Sequence, residues 1–393
     1  MKAIAYETAA DVGRRLLARN DVYESFFARE AVQLAEACRE MSERFLGGGR
    51  LLAFGRGSYV TDAQHVSVEF VHPVIVGKRA LPALDVSIDF TAWLDVALGP
   101  ADIVMGFGPP EGDPEVWAAL GGARRRGAMT FALPGTEGSY AVATPTPDPF
   151  VHQELLEILY HTLWETVHVF FEHRELGHDA GAAAFLYPFL SSQKQDVTHC
   201  VDDVAGSIRM KVADDTRLRA QVAREQSHEI ARTAAEIHQR LQRGGKLILF
   251  GNGGSATDAN DWMLDCIRPP AGYHGVPAVS LSLEPATFSA VANDVGVDVT
   301  FLRQLIAHAR PDDIAVAFST SGGSRNVIAA LEEARRRGLL TVALLGCDGG
   351  EIGRRGLAEC QLVVRSDYIP RIQEVHASIY HVIRETLEKM DRG

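Results

Sequence analysis

"LILFGNGGSATDAND", residues 247–261, runs an apolar stretch into a glycine-rich turn, and the same design stands earlier as "LLAFGRGSYVTDAQH", residues 51–65. A short apolar run closed by glycines reads as a buried strand turning into a helix. The two copies keep complementary parts. The later one has Ser255 where the earlier has Tyr59, and the earlier one has His65 where the later has Asp261; Asp62 and Asp258 match.

Two further anchors make this a duplication of the whole chain. "ARRRGAMTFALPG" (123–135) answers "ARRRGLLTVALLG" (334–346), and "HQELLEILYH" (152–161) answers "IQEVHASIYH" (372–381). The order is kept while the offset grows by small insertions, as expected of two diverged copies. Each copy alternates helical periodicity with short apolar runs such as "KLILFG", "DIAVAFS" and "LTVALLG", which suit parallel strands buried on both faces. The prediction is an α/β protein of two tandem domains, residues 1–185 and 193–393. Each is a doubly wound parallel sheet flanked by helices, flavodoxin- or Rossmann-like. Between them "ELGHDAGAAAFLYPFLSSQ" breaks the periodicity, and residues 214–246 read as the leading helix of the second domain.

The chain length, 393 residues, exceeds what one core comfortably fills. A formal net charge of −12 argues against nucleic acid or an anionic membrane as partner, because both call for clustered Lys and Arg. The five cysteines (Cys38, Cys200, Cys266, Cys347, Cys360) form no CxxC pair, so reduced thiols are expected. The N-terminus lacks a continuous apolar segment and no run reaches the length of a membrane span, so the expected location is the cytoplasm.

Two loops carry the chemistry of the second copy. "GNGGSATD" presents Asn252, Gly253, Gly254 and Ser255 where a strand becomes a helix. "STSGGSRN" (319–326) presents Ser319, Thr320, Ser321 and Ser324 in the same setting. Hydroxyls and free amides at a helix N-terminus cradle a phosphate dianion without needing a cation. In the first copy this second loop is "GPPEGD" (108–113): prolines remove amide donors, and Glu111 and Asp113 would repel a phosphate. His65 and Glu69 stand at i and i+4, sharing one face of a helix where they can take one metal ion. Gln153 and His161 are separated by about 12 Å of helical rise, so both must reach inward to share that ion.

Taken together, "GNGGSATDA", "STSGGSRNVIAALEEARRRG", "LLGCDGG" and "RIQEVHASIYHVI" resemble the sugar isomerase (SIS) fold and, within it, the phosphoheptose isomerases. That family interconverts sedoheptulose 7-phosphate and a glycero-manno-heptose 7-phosphate. The resemblance implies a metal-binding, acid–base tetrad, commonly holding zinc. His65, Glu69, Gln153 and His161 match it in the first copy; Asp261, Asp265, Gln373 and His381 stand there in the second. It implies catalysis by Glu69 or Asp265 with His161 or His381, and sugar contacts from Asn252, Asn293 and Asp294. Family members assemble as tetramers with sites at subunit interfaces, so a tandem chain is expected to form a homodimer of four domains. Two other readings stand beside the isomerase: a phosphosugar sensor without turnover, and an isomerase of a different sugar phosphate.

Overall fold

A computed structural model describes residues 2–73, 78–175 and 197–392. The expected domain boundary at 185–193 lies outside the described residues. The chain divides into two compact units. The first unit comprises Asp21–Thr216; the second comprises residues 1–20 and 217–393.

In the first copy the elements run α1 (Lys2–Leu46), β1 (Leu51–Gly55), α2 (Val60–Val71), β2 (Ala83–Asp85), α3 (Phe90–Ala97), β3 (Ile103–Phe107), α4 (Pro114–Arg125), β4 (Met129–Leu133), β5 (Tyr140–Ala141) and α5 (Pro149–Glu175). The second copy repeats the series as α6 (Val197–Leu241), β6 (Leu247–Phe250), α7 (Gly254–Ile267), β7 (Ala278–Ser280), α8 (Pro285–Asp294), α9 (Thr300–His308), β8 (Ile314–Ser319), α10 (Arg325–Arg336), β9 (Leu340–Gly346), α11 (Gly350–Arg354), β10 (Cys360–Val364) and α12 (Ile369–Arg392). The leading helix expected over 214–246 is the C-terminal part of the longer α6.

Both sheets are parallel throughout, and their strand orders are the same: β2-β1-β3-β4-β5 in the first unit, β7-β6-β8-β9-β10 in the second. This is the flavodoxin-type 2-1-3-4-5 order, whose ligands sit where the connections reverse direction, beyond the C-terminal ends of the first and third strands. Two tandem doubly wound domains of the same topology are thus present.

The strands are apolar at every position because both faces are covered. Alternate residues serve opposite faces. In the second unit Leu247, Leu249, Val316 and Phe318 join the core formed with Trp262, Ile372 and Tyr380, while Ile248, Phe250, Ala315 and Ala317 join the one formed with Phe301, Val327 and Leu331. The first unit splits its sheet residues in the same way. Ala9, Val12 and Leu16 of α1 pack with Leu218, Val222 and Ile230 of α6, which is why the first twenty residues belong to the second unit.

Helix α12 is buried almost throughout although it carries many polar side chains, each of which must find a partner. Arg371 pairs with Glu374, Arg384 reaches Glu388 and the His274 carbonyl, and Nε2 of His376 donates to the Leu345 carbonyl at 3.0 Å. His376 thereby acts as a structural residue. Among the described residues, no helix is long and apolar enough to cross a membrane.

Candidate active site

Helix α7 begins directly on the turn after β6. Gly251 makes the turn possible: a Cβ there would lie 2.4 Å from the Ser255 carbonyl oxygen. Gly253, at φ 58°, is the residue preceding the helix. The serine-rich loop leaves β8, and its Ser319 and Ser324 hydroxyls stand 3.4 Å apart. Ser255 and Ser319 are buried, Thr320 and Ser324 are partly exposed and Ser321 is exposed. Ser324 precedes α10 and makes no side-chain cap bond to that helix among the described residues, so its hydroxyl is available to a ligand.

The two loops are fastened to each other. The Asn252 amide donates to Asn326 Oδ1 at 3.0 Å, and the Asn326 amide returns a bond to Asn252 Oδ1 at 2.9 Å. Asn326 Nδ2 also lies 3.2 Å from Thr300 Oγ1. Sequence reasoning left Asn326 unassigned. Substitution Asn326→Leu should raise KM for a phosphosugar roughly tenfold, about the net worth of one hydrogen bond, with a smaller change in kcat. Asn326→Asp keeps an acceptor for the Asn252 amide and should recover part of the loss in steady-state kinetics.

Below this loop pair lies the charged cluster. Asp261 and Asp265 project from α7 and His381 from α12, and one ligand atom from each falls within 4.8 Å of the others. Asp265 Oδ2 is 3.1 Å and Asp261 Oδ2 is 3.6 Å from His381 Nε2. The Tyr380 hydroxyl donates to Asp261 at 2.6 Å, a partner the sequence did not suggest. Burial, reinforced by the neighbouring Asp261 carboxylate, pushes Asp265 up to about 7, while His381 pulls the other way. Gln373 is buried on α12. Asn293 and Asp294 are exposed at the end of α8 and bond to one another at 2.8 Å; among the described residues neither shares a hydrogen bond with the serine loops.

The first unit holds the matching cluster: His65, Glu69 and His161 also place their ligand atoms within 4.8 Å. His65 Nε2 is 3.3 Å from His161 Nε2 and 3.9 Å from Glu69 Oε1. Burial pushes Glu69 up to about 8, with Glu165 adding to it, and burial holds His65 well below its usual range. Nearby, Gln153 Nε2 donates to Asp62 at 3.2 Å. Either cluster can hold a dication: the first offers two nitrogens and a carboxylate, the second two carboxylates and one nitrogen.

The first unit has no counterpart of the serine loop, and the reason is now visible. Asp113 caps α4, its Oδ1 accepting from the N–H groups of Glu115 at 2.8 Å and Val116 at 3.2 Å. Arg56, which stands where Asn252 does in the second copy, pairs with Asp113 at 3.2 Å and Glu115 at 2.8 Å.

Comparison with known proteins agrees with this geometry. A family profile described as "SIS domain" matches residues 212–346. The phosphoheptose isomerase of Chlorobaculum tepidum is 44% identical over 178 residues, spanning 44% of this chain and 84% of that protein. That of Geobacter sulfurreducens is 40% identical over 190 residues, 48% of this chain and 97% of that one. Among solved structures, the C-terminal domain of glucosamine-fructose-6-phosphate aminotransferase from Francisella tularensis is similar over 96% of both chains, with a TM-score of 0.59. At 10% identity that likeness concerns the fold alone. With motifs, fold and relatives in agreement, the chain belongs to the phosphoheptose isomerase family of SIS-domain isomerases.

Proposed function

We propose that the chain is a sugar-phosphate aldose–ketose isomerase that converts sedoheptulose 7-phosphate to D-glycero-D-manno-heptose 7-phosphate, with the chemistry in the domain over residues 193–393. The observation that carries this reading is the coincidence, in one unit, of the serine loops after β6 and β8 with a buried carboxylate and histidine on the helices beside them.

In this reading Ser255, Ser319, Thr320, Ser321 and Ser324 receive the phosphate, together with the backbone N–H groups of Gly253 and Gly254. Asn252 borders the sugar, and Asn293 and Asp294 offer hydrogen bonds to its hydroxyls. Asp265 removes the proton from the carbon beside the carbonyl and returns it to the neighbouring carbon, passing through a cis-enediol. His381 moves the matching proton between the two oxygens. A base near neutral is suited to both halves of that transfer. Asp261, Asp265, Gln373 and His381 would hold a dication, zinc in our reading, which when bound polarises the carbonyl. The chain would work as a homodimer supplying four SIS domains, a state that sedimentation velocity measures directly.

The test is turnover of sedoheptulose 7-phosphate by the purified chain, with and without added Zn²⁺. Isomerisation is expected, competitively inhibited by inorganic phosphate. Saturable binding without turnover under every ion condition would favour the sensor, and turnover only of another phosphosugar would keep the enzyme but change its substrate.

A further inference from the structure

The two copies differ in kind at the position that His65 and Asp261 share. The first unit has an imidazole there, the second a carboxylate on a short, flexible stem. Asp261 also stands one helical turn from a second carboxylate, Asp265, whose like charge pushes it away. A side chain in that setting needs an outside partner to hold it in one orientation. Tyr380 supplies one. Its hydroxyl donates to Asp261 Oδ2 at 2.6 Å, and that same oxygen lies 3.6 Å from His381 Nε2. On the other side Asp265 Oδ2 stands 3.1 Å from the same nitrogen. Tyr380, Asp261, His381 and Asp265 are all buried.

The phenol is itself fixed by packing. Its ring stacks on Trp262 with centroids 5.6 Å apart and planes at 17°, and meets the edge of Phe318 at 6.0 Å. The His381 ring lies 4.5 Å away. The first copy shows which parts of this arrangement are particular to the second. Tyr160 stands at the position of Tyr380 and Phe107 at that of Phe318, with their rings 6.2 Å apart. Val66, however, stands where Trp262 does, and the Tyr160 ring faces the His65 imidazole at 5.2 Å rather than a carboxylate. The stacked tryptophan and the carboxylate are neighbours in sequence and occur together in the second copy alone.

We infer that Tyr380 is a positioning residue of the second unit: its hydroxyl fixes the Asp261 carboxylate, and Asp261 with Asp265 brackets His381 Nε2 in the orientation that proton transfer needs. The inference rests on the proposed isomerase reading and adds to it a residue that neither the motifs nor the family resemblance assigns. An imidazole that shifts a proton between two oxygens works within a narrow range of positions, and displacement by about 1 Å is enough for losses near 10²-fold. Tyr380 lies on α12, outside the serine loops, so its contribution belongs to kcat and leaves KM in place.

The test uses the full chain and a double-mutant cycle in sedoheptulose 7-phosphate turnover. Tyr380→Phe keeps the ring and its stack on Trp262 and removes the hydroxyl alone. It should lower kcat by roughly 10–100-fold, the worth of a hydrogen bond to a charged acceptor, with KM within about threefold of the parent. In an Asp261→Ala chain the hydroxyl has lost the group it acts through, so adding Tyr380→Phe should change kcat by less than about threefold. Crystal structures of the parent and of Tyr380→Phe give a readout that needs no activity: the Asp261 carboxylate should leave its place beside His381 Nε2 when the hydroxyl is gone. An unchanged kcat in Tyr380→Phe would overturn the inference, as would a full loss that persists in the Asp261→Ala chain. An Asp261 carboxylate that keeps its place in the Tyr380→Phe crystal would overturn it whatever the kinetics. Absence of turnover in the parent would count against the isomerase reading instead, and the two crystal structures would then decide whether Tyr380 holds Asp261.

Discussion

Substitution of Asp265 by Asn is expected to reduce kcat by roughly 10²–10⁴-fold, the usual contribution of a positioned proton-transfer group, while KM changes little. Asp265 is buried on α7 beside His381 Nε2, and the serine loops proposed to bind the phosphate do not include it. The amide keeps the size of the carboxyl and removes its basicity. It also removes a carboxylate that burial and Asp261 together disfavour, so the variant should fold at least as stably as the parent. A low kcat in an unfolded sample is thereby distinguishable from a low kcat in a folded one by circular dichroism. The informative comparison is Glu69→Gln in the first unit: a fall confined to that variant would place proton transfer there and reject Asp265 as the base.

How much of this was legible in the sequence depends on the range of each interaction. The repeat anchors led to two sheets of identical order, because apolar runs and glycine turns are local signals that survive divergence. The spacing of His65 and Glu69, and of Asp261 and Asp265, is a local signal, and the structure groups each pair with a histidine from another helix. The closing histidines, His161 and His381, were expected from family resemblance and are found within reach. What escaped were partnerships between residues far apart in the chain and ordinary in type. Asn326 fastens to Asn252, 74 positions away, and Tyr380 bonds to Asp261, 119 positions away. Both side chains lie inside quoted motifs, but nothing in those motifs gives their partners. A signal did exist for the first: Arg56 faces Asn252 and Glu115 faces Asn326 when the copies are aligned, so an amide pair has changed into an ion pair at two positions together. Reading the alignment by pairs would have shown that the turn after the first strand meets the helix after the third.

That contact between loops explains why the sharpest effect on binding is expected from a residue with no side chain. Gly322 sits at φ +60°, and a Cβ there would lie 2.1 Å from the Gly349 carbonyl oxygen. The reverse approach is equally close, since a Cβ on Gly350 would lie 2.2 Å from the Ser321 carbonyl. The serine loop therefore rests backbone on backbone against the "CDGG" turn, residues 347–350, and this support holds the hydroxyls of Ser319 and Ser324 toward one point. Alanine at 322 must both adopt a left-handed conformation, at about 1–2 kcal/mol, and push the loop off its support. Displacement of a positioning loop by about 1 Å is enough for losses near 10²-fold, so sugar-phosphate affinity should fall by about that factor, with a lower unfolding temperature. Gly323 is the control one residue away. Its nearest contact from an added Cβ is Ser321 Oγ at 3.8 Å, ordinary van der Waals spacing, and its backbone lies outside the left-handed region. Gly323→Ala should therefore bind sugar phosphate within a few-fold of the parent in the same calorimetric titration. Equal losses at 322 and 323 would mean that the loop tolerates no side chain for reasons of ligand contact, and the backbone-support account would fail. Loss at 322 alone would tie phosphate binding to the packing of the serine loop on residues 347–350.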